Sequence, residues 1–187
     1  MEAVGQDSGA VPTTKEYHTA ARELCDKYGM LLIYDEVVTG FRLGMGGAQS
    51  IFGTSPDLTV FGKIIGGGYA GSGGIGGRKE IMSMLTAGVD ASDNIKVKVG
   101  GTMTANPLTS LAGITVIKEL ERLNVHDALD KASDYFMRGI ADLSEKYDVP
   151  AIIYHHSSIL HIDVSGVQHV PYCIDSKDPQ FQSQLED

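Results

Sequence analysis

The sequence predicts an α/β domain built on a mostly parallel sheet with helices on both faces, followed by the start of a smaller α+β unit. Three observations carry this expectation. A helical pattern ending at Gly29 feeds directly into a continuous apolar run, Met30 to Tyr34, of the kind a strand buried on both faces requires. A second short apolar run, Leu58 to Phe61, follows the turn signal Ser55-Pro56-Asp57. From Pro150 the period changes, and "AIIYHH" and "SILHIDVSG" alternate as strands of an antiparallel layer do.

Taken in order, Thr13 and Glu16 form a capping box for the first helix, in which Tyr17, Ala20, Leu24 and Tyr28 recur at helical spacing. The strand at 30–34 then runs straight into Asp35 and Glu36. Burying a carboxylate without a partner costs more than packing returns, so either the strand surfaces here or something positive meets one of the two. After the second strand, "GGGYAGSGGIGG" excludes a regular helix, because each glycine costs helix stability. A short helix is expected over Arg78 to Leu85 and a polar loop over Asp90 to Lys98. "GGTMTANPLTSLAG" opens a long helix marked by Leu108, Leu111, Ala112, Val116 and Leu120. Asn124 caps a further helix that reaches Tyr147 through Leu129, Phe136, Ile140 and Leu143. The expected division gives residues 1–123 to a large domain and 124–187 to a linking helix and an incomplete C-terminal small domain. A helix comes before any strand, and no closing helix follows the last strands, so the chain reads as the middle of a larger protein. Met30 to Tyr34 or another strand would then carry an unpaired edge, an aggregation hazard that predicts poor solubility of residues 1–187 alone.

Composition narrows the class of function. The 187 residues are 42% hydrophobic and 21% charged, with 15 basic residues against 24 acidic and a net charge of −9. That balance argues against a nucleic-acid or anionic-membrane surface, since both need a basic face. The apolar runs fall far short of the roughly 20 residues a membrane span needs. Met1 leads into Glu2, Val4, Gln6 and Asp7, which is no signal-peptide pattern, and Cys25 and Cys173 lack CxxC spacing. The expectation is a cytoplasmic protein with two reduced thiols.

Several motifs fail on their context. G-x-G-x-x-G occurs at 66–71 and again at 71–76, but glycines continue where a dinucleotide-binding helix should begin. Gly62-Lys63 is followed by Ile64, not by the Ser or Thr of a P-loop. The six histidines include no H-E-x-x-H. His161 and Asp163 share a strand face, but two residues make no metal site, and His155-His156 reads as a polar strand end.

Lys63 stands apart. It follows the second strand, beside Gly62, among Ile64, Ile65 and glycines. A lysine held among apolar and small groups favours its neutral amine, a nucleophile toward carbonyls; a solvent-facing lysine at a strand end is the plainer alternative. Asp35 closes the neighbouring strand, and the carboxyl ends of parallel strands converge on one crevice where ligands bind. A carboxylate and an amine together there suit pyridoxal 5′-phosphate.

"LLIYDEVVTGFR", "GGAQSIFGTSPDLTVFGKIIGGGY" and "GGTMTANPLTSLAG" resemble the class III (omega) aminotransferases of the fold-type I pyridoxal-phosphate superfamily, and within them the glutamate-1-semialdehyde aminomutase group. The resemblance covers residues 1 to about 123 and fades in the last forty residues. It implies a fold-type I large domain and amino-group transfer, as a transaminase or an aminomutase, between small-molecule donors and acceptors. Lys63 resembles the lysine that forms the Schiff base and shuttles the proton, and Asp35 the aspartate that pairs with the pyridine nitrogen. Val37, on the same side of an extended segment as Asp35, resembles the valine that packs on the ring. Thr102, with Gly101 in "GGT", resembles the threonine that binds the cofactor phosphate from the neighbouring subunit of a homodimer; a helix N-cap is its plainer reading. Glu36 and Arg42 are expected to be structural or salt-bridge residues. Relative to the family, the upstream phosphate-binding helix start and ring-stacking aromatic are missing, and "YAGSGGIGGR" is longer and richer in glycine. The alternative is a catalytically incomplete fragment that binds little cofactor.

Overall fold

The first helix starts one residue later than the capping box predicts. In the computed structural model, which describes residues 1–5, 10–85, 97 and 100–164, α1 spans Lys15–Tyr28 and Thr14 is its N-cap, accepting a hydrogen bond from Tyr17 N at 3.2 Å. Thr13 is drawn off to tertiary partners: its hydroxyl donates to Ala3 O at 2.8 Å and meets His18 Nε2. Gly29, left-handed at φ 63°, ends the helix as expected. The apolar positions Tyr17, Leu24 and Tyr28 face outward, and the buried residue of α1 is His18. Its ring stacks on Phe52 with centroids 4.1 Å apart and bonds the Tyr34 hydroxyl through Nδ1. Burial pushes His18 below the ordinary histidine pKa, which suits this apolar seat.

Strand pairing keeps the predicted core and revises its surroundings. β1 (Val4–Gly5) and β2 (Val11–Pro12) form a small antiparallel pair. β3 (Ile33–Glu36) and β4 (Leu58–Phe61) run parallel, with Ile33 opposite Leu58 and Glu36 opposite Phe61. β3 therefore starts at residue 33, not 30, and includes both carboxylates. Residues 30 and 31 precede the ladder, and it opens at the Leu32 carbonyl, which accepts from Asp57 N (2.8 Å) and from Leu58 N (3.2 Å), the second of these closing the Ile33–Leu58 pair. Tyr34 is fully buried whereas Ile33 is 41% exposed, so only one face of β3 is covered, in contrast to the two expected. Nor is its edge bare: Asp35 N donates to Met1 O at 2.9 Å, and Glu2 bridges Asp35 in parallel.

The glycine run holds an unpredicted strand, β5 (Gly74–Gly77), antiparallel to β4. Glycine is a poor strand former, but here backbones approach too closely for a side chain: a Cβ on Gly77 would stand 2.3 Å from Asp57 O. Between α1 and β4 lies the short α2 (Gly47–Phe52), which contributes Ala48 and Phe52 to a buried cluster with Ala3, Val4, Leu43 and Ile159.

The expected short helix after β5 is α3 (Lys79–Met82) with a 3-10 turn over Ser83–Leu85. The loop at 90–98, apart from Val97, and Cys173 lie outside the described residues. α4 (Pro107–Leu123) is capped by Asn106, whose side chain accepts from Leu108 N at 2.9 Å, so Thr102 is no helix cap. Leu108 and Leu111, expected in the core, face outward; Thr109 and Gly113 are buried instead. Asn124 in left-handed geometry joins α4 to α5 (Val125–Tyr147). β6 (Ile152–His156) and β7 (Ile159–Asp163) form the expected antiparallel hairpin. His155 Nε2 meets Asp134 at 3.0 Å and Ser157 donates to Asp130 at 2.7 Å, tying that hairpin to α5. Among the described residues no helix is long and apolar enough to cross a membrane.

Asp57, expected only as a turn residue, is the anchor that joins α1, β3 and β5. Its buried carboxylate accepts from Arg22 (2.8 Å), Leu32 N (2.8 Å) and Arg78 (3.0 Å). Those donors, Arg22 foremost, hold its pKa down at about 2 against an ordinary 3.8. A depressed carboxylate contributes stability that is fully present above its unfolded pKa and lost as the carboxyl protonates. We therefore expect about 2 kcal/mol to disappear between roughly pH 5 and pH 2. Urea unfolding across that range should show this slope in the native chain and a flatter one in Asp57→Asn; equal slopes would remove Asp57 from the account.

Candidate active site

Two carboxylates end β3, and the fold treats them oppositely. Glu36 is 1% exposed and points into the protein. Its Oε2 accepts from Ala48 N at 2.8 Å and Thr39 Oγ1 at 3.2 Å, and its Oε1 from Gln49 Nε2 at 3.2 Å. Gln49 Nε2 also donates to Thr59 Oγ1 at 2.9 Å, which carries the link across to β4. This dock needs glycine at position 47, where φ is +59° and a Cβ would lie 2.2 Å from Glu36 Oε2. Glu36 is thus structural, as expected, but through neutral donors and no salt bridge.

Asp35 is half-buried on the alternate side of the strand, and its Oδ1 accepts from Val37 N at 3.0 Å. Among the described residues it has no cationic partner: Arg22 and Arg78 bind Asp57, and Arg122 binds Glu119. Val37 is not in an extended segment, because the chain turns immediately after Glu36, with Gly40 N donating to Glu36 O at 2.9 Å. Its side chain nevertheless reaches the next strand end, where a Cβ on Gly62 would lie 3.0 Å from Val37 Cγ1.

Lys63 opens the 3-10 turn Lys63–Gly66 that follows β4. It is solvent-exposed, against the expectation of a lysine held among apolar groups; Ile64 and Ile65 turn partly inward and leave it outside. Its backbone is left-handed at φ 49°, a conformation that costs on the order of 1 kcal/mol for a non-glycine residue and concentrates at functional sites. The turn is held from beneath by α4. A Cβ on Gly113 would stand 2.0 Å from Ile65 O, and one on Gly67 2.8 Å or less from Ala112 atoms. Small residues on both sides allow this approach.

Lys63, Arg42, Ile64, Tyr69 and Ser72 line an open depression of about 550 Å³. Gly71 and Ser72 also border an adjoining groove of about 740 Å³, lined by Gly101, Thr102, Thr109 and Gly113. The fold therefore brings Asp35 and Lys63 to the ends of neighbouring parallel strands and sets Val37 against the residue preceding Lys63. It places exposed Gly101 and Thr102 in the groove next door. Sequence reading missed the docking role of Glu36, for which the Gly46-Gly47 pair was the available signal, and missed Arg42, whose Nε is buried without a hydrogen-bond partner. Among the described residues no cluster could hold a metal ion. A half-buried carboxylate left without a cation among the described residues, on the strand next to the one that leads to an accessible primary amine, does fit a cofactor with a protonated ring nitrogen and an aldehyde.

Known proteins match this chain over most of its length. Glutamate-1-semialdehyde 2,1-aminomutase of Chloroherpeton thalassium is 46% identical over 146 residues, 78% of this chain and 32% of that protein. An omega-transaminase from Sphaerobacter thermophilus superposes with a TM-score of 0.76 at 33% identity, covering 87% of this chain and 36% of the other. A structure described as a transaminase with PLP bound gives 0.74 at 26% identity, over 86% and 37%. The chain spans about a third of the length of the curated relatives it matches. The family description "Aminotransferase class-III" matches residues 1–175, and the chain belongs to that family.

Proposed function

We propose that this chain carries the cofactor lysine of a pyridoxal-phosphate enzyme that transfers amino groups, as a transaminase or an aminomutase. The observation that supports this best is that Asp35 lies at the carboxyl end of β3 while Lys63 follows the carboxyl end of β4, the adjacent parallel strand. Lys63 Nζ is the amine that would bind the cofactor's aldehyde carbon and, once released, would move a proton between the substrate carbon bearing the amino group and that former aldehyde carbon, which are joined through the nitrogen. Its exposure gives it access to both. Asp35 holds a proton on the ring nitrogen, and its lack of another cationic partner supports that role. Val37, lodged against Gly62, bears on the ring and fixes its orientation. The bound cofactor supplies an electron sink for the pair left when a C–H bond beside the amino group breaks.

Gly101 and Thr102 are assigned to the phosphate of the neighbouring chain in a homodimer, which their exposure on the adjoining groove supports. A C₂ pair is the simplest closed arrangement in which each chain completes the other's site. A small-molecule amino donor and a carbonyl acceptor complete the reading. A cytoplasmic setting goes with the free Cys25 thiol. A boundary between residues 123 and 124 goes with the left-handed break at Asn124. A second reading, a portion that binds cofactor weakly, is favoured by the open depression and exposed lysine.

Borohydride treatment in the presence of pyridoxal phosphate should label Lys63, and the yellow absorbance of the lysine-bound cofactor should vanish in Lys63→Ala. Labelling of another lysine would overturn the assignment, and absence of colour in the native chain favours the second reading. In Asp35→Asn the colour should persist while amino transfer slows by on the order of 10² to 10³, because the ring nitrogen loses its charge-assisted partner. Undiminished turnover would give that carboxylate a different task.

A further inference from the structure

His18 is fully buried, and nothing in the candidate site employs it. Its ring joins α1 to three other parts of the fold. Nε2 meets the Thr13 hydroxyl just past β2, and Nδ1 meets the Tyr34 hydroxyl on β3. The imidazole face lies on Phe52 of α2, with the two planes within 14° of parallel. The hydroxyl proton of Thr13 goes to Ala3 O at 2.8 Å, so its oxygen accepts from Nε2–H. A neutral imidazole then keeps a lone pair at Nδ1, and the Tyr34 hydroxyl donates to it. These are the contacts of a neutral ring in its Nε2–H form.

We propose that His18 is a proton-operated latch: neutral, it ties the N-terminal strand pair, α1 and β3 together, and a proton at Nδ1 releases them. Such a proton stands against the Tyr34 hydroxyl, which keeps the bond only by turning its own hydrogen away. The charge that arrives with it meets no carboxylate. Around the ring α1 presents the edge of Tyr17 at 5.9 Å, α2 Phe52, β3 Tyr34 and the N-terminal segment Thr13. Glu36 and Arg22 bear on the Tyr34 hydroxyl with opposite sign, as does the Thr54 hydroxyl beside it. Glu36 is committed to the Ala48 amide, and Arg22 to Asp57. Burial disfavours the imidazolium and lowers the His18 pKa below its ordinary 6.5, while it raises that of Tyr34 and keeps the phenol a donor. A group that is neutral in the fold contributes stability that is complete above its unfolded pKa and declines as pH falls toward the lowered folded value. The decline therefore opens below about pH 6.5, before Asp57 begins to protonate. The strand released is the one that ends in Asp35 and Glu36.

Imidazole ¹⁵N shifts of the labelled full chain read the state of the ring directly, with the His18 signals assigned by their loss in His18→Leu and their displacement in Tyr34→Phe. At neutral pH they should show Nε2 protonated and Nδ1 bare. Amide exchange then follows the latch at Thr13 and Asp35, whose N–H groups donate to Ala3 O and Met1 O. Because opening takes up one proton, protection corrected for the intrinsic exchange rate should fall by up to about tenfold per pH unit below about pH 6.5. The same pH range should see the His18 ring become protonated. In His18→Leu, which fills the seat and cannot titrate, protection should stay level down to about pH 5, where the loss due to Asp57 begins. The ring signals and the protection profile are both read on the native chain, so they decide the matter even where a variant fails to fold. A proton on Nδ1 at neutral pH, a ring that becomes protonated with protection unchanged, or an equal decline in folded His18→Leu would each overturn the proposal.

Discussion

Glu36 sends its carboxylate inward, where the Ala48 N–H, Thr39 and Gln49 receive it, and the rest of the candidate site hangs on that contact. An inward-facing carboxylate is tolerated only when its lone pairs are met, and here one oxygen takes the amide near the start of α2 while both sides of the dock carry polar donors. Because residues alternate along a strand, sending Glu36 inward commits Asp35 to the opposite side, where it is half-buried. The same contact folds back the segment after β3, and so delivers Val37 to Gly62 and Arg42 to the depression beside Lys63. Gln49 extends the link to Thr59, so the ends of the two parallel strands are held as one unit.

A second anchor works at the other end of the same strands. Asp57 gathers Arg22, Arg78 and the Leu32 amide, fixing where β3 and β4 begin, as Glu36 fixes where β3 ends. Beneath Lys63 the close approach of α4 to the turn depends on the absence of side chains at Gly67 and Gly113. The strained backbone at Lys63 and the open depression around it thus sit on a well-determined support. This division, rigid beneath and accessible above, is what a covalent cofactor site asks of a protein.

What the sequence disclosed and what it withheld follow a physical line. β4, α5 and the β6–β7 hairpin were legible because their signals are local: a short apolar run, a long helical period, an alternation broken by a turn. Both anchors were not, since Glu36 meets Ala48 across 12 residues and Asp57 meets Arg22 across 35, and neither partner leaves a periodic trace. Of the two carboxylates that end β3, the resemblance offers a cationic partner to Asp35, whereas the more buried of the two is Glu36, met by neutral donors. Apolar stripes misled in another way. Tyr17, Leu24 and Tyr28 on α1, like Leu108 and Leu111 on α4, show that a face is apolar without showing what covers it, and in this structure they are exposed. The strand in the glycine run escaped notice because propensity counts side chains, while β5 exists for the close backbone approach that their absence permits.

The inward dock of Glu36 organises the site that faces outward. Glu36→Gln preserves size and shape but replaces one acceptor with a donor, so either the Gln49 N–H or the Ala48 N–H with the Thr39 hydroxyl loses its carboxylate oxygen, whichever way the amide turns. This variant is to be titrated with pyridoxal phosphate, following the absorbance of the lysine-bound cofactor. Cofactor affinity should weaken by on the order of tenfold or more, in step with a stability loss of about 1 to 3 kcal/mol in urea. Native affinity in a variant measurably destabilised would contradict it, by showing that the buried carboxylate holds the fold together without shaping the crevice.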